Sequence, residues 1–119
     1  MSLVVGNVYV VFCHWIKPPH DKIAVCLCAQ RGWFFWFNSK AAPHAVAQIA
    51  IDKGEHPAIS KDCFLDLSGV RVFSPNELRA AQDRGPLSAA TRAKIAPLLL
   101  SPIKLLPDAH RTLAASALA

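Results

Sequence analysis

Between residues 4 and 73 the apolar positions alternate or run in short blocks, each closed by glycine, proline or a polar pair. Over 4–15, Tyr9, Val11, Cys13 and Trp15 share one parity and Val8, Val10, Phe12 and His14 the other. Strand side chains alternate between faces, so this stretch predicts a strand that is largely apolar on both. Gly6-Asn7 interrupts its start, and Pro18-Pro19 ends it in a loop over 16–21, because proline donates nothing to a strand ladder. A second strand is predicted over 22–29 and a third over 33–38, joined as a hairpin through Gln30-Arg31-Gly32. The third holds five consecutive aromatics, Trp33 to Phe37, and such a strand needs neighbours on both faces. A loop over 39–44 leads to a fourth strand over 46–51. A loop over 52–59 then leads to a last strand region over 62–73, bulged or bent at Ser68-Gly69.

After residue 73 the period changes. Ser74-Pro75-Asn76-Glu77 has the form of a capping box with proline at the first helical position. It predicts a helix running to about Arg84 and stopping at Gly85-Pro86. Ser88 caps a second helix carrying Ile95, Leu98 and Leu99, which Pro97 should kink or end early. Pro107-Asp108 opens a third. The whole reads as a single α+β domain over 1–119, mainly β. About five antiparallel strands over 4–73 form a small curved sheet or barrel, and a helical C-terminus over 74–119 packs on one side.

Composition sharpens this picture in four ways. Of the 119 residues 53% are hydrophobic and 18% charged, which excludes a disordered chain and predicts an apolar surface left over for a homodimer. No stretch approaches the roughly 20 apolar residues of a membrane helix, and the start lacks the pattern of a signal peptide, so the expectation is a cytoplasmic chain that does not engage a membrane. The net charge of +5 favours an acidic partner such as nucleic acid. Cys13, Cys26, Cys28 and Cys63 all lie in apolar, strand-like contexts and read as reduced, buried thiols. A zinc site with His14 or His20 would want the C-x₂₋₄-C knuckle that C-x-C does not provide, so no metal or cofactor is expected.

Several landmarks follow the order found in the MazF/PemK-like toxins of type II toxin–antitoxin systems. Gly6-Asn7-Val8-Tyr9-Val10-Val11 resembles that family's opening G-D-hydrophobic-hydrophobic strand. Lys22-Ile23-Ala24-Val25-Cys26-Leu27 stands where the family has R-P-A-hydrophobic-V-L. Phe37-Asn38-Ser39 is similar to the polar cluster after its third strand, and Ala58-Ile59-Ser60-Lys61-Asp62-Cys63 resembles a later A-hydrophobic-x-D-polar strand. The likeness spans residues 4 to about 100. It implies an SH3-like barrel, a metal-independent endoribonuclease acting on single-stranded RNA, and an antitoxin partner. The departures fall on the chemistry: Lys22 replaces an arginine and Ser39 a threonine that together support attack by the RNA 2′-hydroxyl. Lysine lacks the planar fork that grips a phosphate, whereas serine keeps the hydroxyl. The alternative is therefore a barrel that binds RNA or a protein segment without cutting.

The catalytic candidates are Lys22, Ser39, Asp62 and His20: a cation for phosphorane charge, a hydroxyl, a carboxylate and an acid–base imidazole. Each also has a plain structural reading, as a solvated loop residue or a turn-bonding carboxylate. The RNA-binding candidates are Lys17, Arg31, Trp33, Lys40 and Lys61, loop cations plus the one aromatic at a strand end. Lys53 joins that loop group. Arg71, Arg79, Arg84, Arg92, Lys94, Lys104 and Arg111 read as ordinary solvated positions of the helical half.

Overall fold

The computed structural model describes residues 2–41 and 47–119. Its strands are β1 (Asn7–Cys13), β2 (His20–Cys28), β3 (Trp33–Asn38), β4 (Gln48–Ile51), β5 (Cys63–Asp66), β6 (Arg71–Val72) and β7 (Gln82–Pro86). Its helices are α1 (Pro75–Arg79), α2 (Ala89–Leu100) and α3 (Asp108–Ala117). The expected fourth strand began at Val46, and that residue, with 42–45 of the preceding loop, lies outside the described residues.

All pairings are antiparallel, in the order β4-β5-β3-β2-β1-β7, with β6 also on β3. The class is α+β and mainly β, as expected, but the sheet is open: among the described residues β4 and β7 each end it without meeting. The aromatic run explains the centre. Phe34 and Trp36 face one way and Phe35 and Phe37 the other, so β3 is stable only with neighbours on both edges and cover on both faces. One cover is helical: Val8, Val25, Leu27, Phe35, Phe37 and Leu65 pack against Ile95 and Leu99 of α2, Ala114 of α3 and Leu118 just after it. Over the other face, Tyr9, Val11, Cys13, Ala24, Cys26 and Phe34 gather only Phe73 and Ala81, with Leu3, Ile16, Trp36 and Leu78 partly buried around them. This second cover is thin, and it leaves Trp15 exposed.

The strand region expected over 62–73 is split. β5 pairs Leu65 with Phe37, whereas β6 pairs Val72 with Trp33, a register three residues further on. The extra residues form the bulge expected at Ser68-Gly69. Asp66 fixes it by accepting from the backbone N–H of Ser68 at 2.8 Å and from Arg71 Nη2 at 3.4 Å.

The first helix is shorter than its sequence suggests. The capping box forms: Ser74 Oγ accepts from Glu77 N, and Glu77 Oε1 accepts from Ser74 N. The helix nevertheless ends at Arg79, and residues expected to continue it become β7 on the edge of β1. Asp83 decides the outcome. Its carboxylate accepts from Asn7 Nδ2 at 3.0 Å, Tyr9 Oη at 3.2 Å and Gly85 N at 2.8 Å. Three tertiary or turn bonds plus a strand ladder outweigh the few tenths of a kcal/mol per residue in helix propensity. The helical half is thus 74–119 interrupted by a strand. Pro97 does not end α2, which runs three residues beyond it. It removes the N–H that would bond the Ala93 carbonyl, a loss of one bond within a turn of the helix end. The helix expected at Pro107-Asp108 is present as α3.

All four cysteines are free, with Cys13, Cys26 and Cys63 buried. Burial pushes the Cys13 and Cys26 thiols up to about 11. Among the described residues no helix is long and apolar enough to cross a membrane.

Gly32 joins β2 to β3 at φ +65°, and a Cβ there would stand 3.2 Å from the Phe73 carbonyl oxygen. Gly54 has φ +90° but opens onto free space. A left-handed residue other than glycine costs roughly 1–2 kcal/mol. Gly32→Ala should therefore lower stability in urea unfolding by more than Gly54→Ala, the excess reporting the crowding against residue 73. A larger loss for Gly54→Ala would contradict this placement of the turn.

Candidate functional site

His20 and Lys22 are two apart on β2 and so share a face. The pairing of Ala24 with Trp36 places Lys22 beside Asn38, and Lys22 Nζ donates to Asn38 Oδ1 at 3.1 Å. Ser39 follows directly, where β3 ends. These strand ends and the loop carrying Ile59, Ser60 and Lys61 enclose a cleft of about 220 Å³. His20, Lys22, Ser39 and Lys61 line it together, with Asp21 and Asn38. The sequence separates these groups by up to some forty positions; the antiparallel order of the strands brings them to one rim.

The histidine is oriented. His20 Nδ1 lies 2.6 Å from the Pro18 carbonyl oxygen. A carbonyl can only accept, so Nδ1 carries the proton in the neutral ring and Nε2 holds the lone pair. The lysine is half-buried. Its ammonium lies 4.5 Å from the Trp36 ring centroid, and burial, ahead of the repulsion from Arg71, pulls its pKa below the usual lysine value. Ser39 and Lys61 are exposed.

Asp62 is not part of this rim. It is exposed and its Oδ1 accepts from the backbone N–H of Lys53 at 2.8 Å, the turn-bonding role. Lys17 and Lys40 are exposed in the segments flanking the cleft. Arg31 and Trp33 sit at the opposite end of β3. Arg31 lies 4.8 Å from the Trp33 ring centroid, and Trp33 packs edge-on against His110 of α3. Trp33 is half-buried there, which leaves little of its face for a ligand.

Sequence reasoning did not single out three residues beside the cleft. Trp36 stacks on Trp15 at 5.6 Å with 18° between the rings, and Arg71 lies 4.5 Å from the Trp36 centroid. Ala24, the small partner opposite Trp36, leaves the room in which these groups meet. Trp36 shares the parity of Asn38, so its face was readable from alternation alone. Arg71 reaches it only through the three-residue shift at the bulge, for which the sequence carries no local signal.

The sequence matches no protein-family model and no curated protein. Chemically, the cleft offers an imidazole proton acceptor, the ammonium groups of Lys22 and Lys61, the hydroxyls of Ser39 and Ser60 and the carboxylate of Asp21.

Because the folded pKa of Lys22 is depressed, the unfolded chain holds more protons between the folded value and the ordinary one. The penalty is complete below the folded value, and stability rises with pH as that window is crossed. Lys22→Met should therefore leave the melting temperature at pH 7 unchanged or raised, and should weaken binding of single-stranded RNA at low salt. A clear fall in melting temperature would show that the ammonium supports the fold rather than a ligand.

Proposed function

We propose that this chain is an endoribonuclease that cleaves single-stranded RNA without a metal, a divergent relative of the MazF/PemK-like toxins. The observation that carries the reading is the shared cleft, in which His20, Lys22, Ser39 and Lys61 meet with His20 Nε2 free to accept a proton. In this reading His20 Nε2 takes the proton of an RNA 2′-hydroxyl. The 2′-oxygen attacks the adjacent phosphorus, and the bond from phosphorus to the 5′-oxygen breaks. The Lys22 ammonium, its hold on the proton loosened by burial, protonates the leaving 5′-oxygen. Lys61 and the Ser39 hydroxyl stabilise charge on the non-bridging oxygens. Proton acceptor, proton donor and countercharge are all side chains, so the step needs no further group. Products are a 2′,3′-cyclic phosphate and a 5′-hydroxyl. Proton acceptance passes here from Asp62 to His20, because Asp62 is engaged elsewhere.

The same reading takes the open sheet as a loosened SH3-like barrel, and takes an antitoxin segment and a second copy of the chain as partners. Cytoplasmic action follows from the substrate. The rival is a module that holds RNA without cutting it, and the Asn38 bond to Lys22 favours it by occupying one ammonium proton.

Purified protein incubated with mixed single-stranded RNA in EDTA should give discrete fragments ending in cyclic phosphate. His20→Ala should slow this by roughly 10²–10⁴-fold, the usual contribution of general acid–base assistance. Intact RNA that is nevertheless bound, with a salt dependence made shallower by Lys22→Ala, would replace cleavage by the binding module. Protein that neither cuts nor binds at low salt would contradict both.

A further inference from the structure

The thinly covered face of the sheet carries an arrangement that the cleavage reading does not use. Lys22 belongs to two places at once: it lines the cleft, and it lies over Trp36. Trp36 in turn stacks on Trp15, and Trp15 is 54% exposed. The indole of Trp15 is not loose. Its Nε1 donates to Glu77 Oε2 at 2.9 Å, while the other oxygen of Glu77 is held in the helix cap. A large aromatic ring fixed on its edge by a hydrogen bond and backed by a second ring still presents much of its surface to solvent. Exposure of an ordered tryptophan wastes the burial it would otherwise gain, about 25 cal/mol per Å². Beyond Trp15 lies a second, larger cleft of about 980 Å³, on whose wall stand Trp15, Arg31 and Arg79. Positive charge therefore continues on both sides of the stack: Lys22 and Arg71 at Trp36, Arg31 and Arg79 past Trp15.

We propose that Trp15 is a base-stacking platform of this protein, taking one nucleobase of a single-stranded RNA whose backbone leaves the His20–Lys22 cleft towards Arg31 and Arg79. The proposal rests on the cleavage reading for its ligand and adds the residue that reads the flanking nucleotide. A second copy of the chain is the other occupant for an exposed tryptophan. Charge decides against it: Arg71 is paired with Asp66 and Glu77 is bonded to Trp15, but Lys22, Arg31 and Arg79 would each meet like charge on a second copy. An RNA strand alternates anionic phosphates with flat apolar bases, which is the alternation of cations and indoles along this path. Stacking is tolerant of base identity, so Trp15 raises affinity without fixing sequence.

The test compares two 2′-O-methyl RNA strands of equal length, one bearing bases and one abasic throughout, so that binding is read without cutting. The full-length parent, Trp15→Phe, Trp15→Leu and Lys22→Ala are titrated by fluorescence anisotropy at low salt. The parent should prefer the base-bearing strand. Trp15→Leu should bind that strand about 5- to 150-fold more weakly, the range for loss of one stacked base, and bind the abasic strand as the parent does. Trp15→Phe, which keeps a flat ring but loses the bond to Glu77, should retain most of the affinity and thereby exclude a folding defect as the cause. Lys22→Ala should weaken both strands alike. If Lys22→Ala weakens both strands and Trp15→Leu changes neither, the cleft binds RNA and the platform is overturned. If the parent binds neither strand, the cleft reading falls and the platform falls with it. A Trp15→Leu protein whose sedimenting mass drops below the parent's at equal concentration would give the tryptophan to a contact between copies and overturn the proposal.

Discussion

Everything in this fold depends on β3 being buried on both faces. Five aromatic side chains in a row cannot be shielded by one partner layer, and Phe34, Phe35 and Phe37 are all buried in the result. The strand takes β2 along one edge and β5 with β6 along the other. One face recruits α2 and α3, which is why the C-terminal helices fold back across the sheet. The opposite face receives only the short α1 and its flanking residues. That unequal division leaves Trp36 half-buried and Trp15 in solvent, with the cleft at the end where β2 begins and β3 stops.

The cleft follows from the same strand pair. Antiparallel register sets Lys22 beside Asn38, and period-two alternation adds His20 to the same face. Burial disfavours the charged form of the Lys22 ammonium, and the bond to Asn38 and the face of Trp36 offset part of that cost. Cys13 and Cys26, by contrast, are buried without such a partner, and their raised pKa values make them unreactive core residues.

Where local chemistry dictates structure, the sequence was a sufficient guide. Trp33–Asn38 was readable as a strand from its aromatics, Ser68-Gly69 as a bulge from its glycine, and Ser74–Glu77 as a cap from its spacing. Residues 82–86 were not, because Asp83 collects its donors from Asn7 and Tyr9, more than seventy positions away. The limits at the site have the same origin. Alternation gathers His20 and Lys22 on one face, and Ser39 joins them by following the end of β3. Asp62 looked equivalent to them, yet its own loop claims it through Lys53. Arg71 looked like a solvated cation until a three-residue slip set it over Trp36. A pairing of long sequence separation decides the case of Arg71, whereas Asp62 is claimed within its own loop, nine positions from its donor.

The proposal that the cleft and the tryptophan stack form one RNA-binding surface is tested by titrating isotope-labelled protein with a 2′-O-methyl RNA strand, followed by nuclear magnetic resonance. The signals of His20, Lys22, Asn38 and Ser39 and the indole N–H of Trp15 should shift together, along one saturation curve. Shifts confined to the Trp33–His110 contact and the surface of α3, or no shifts at low salt, would contradict it.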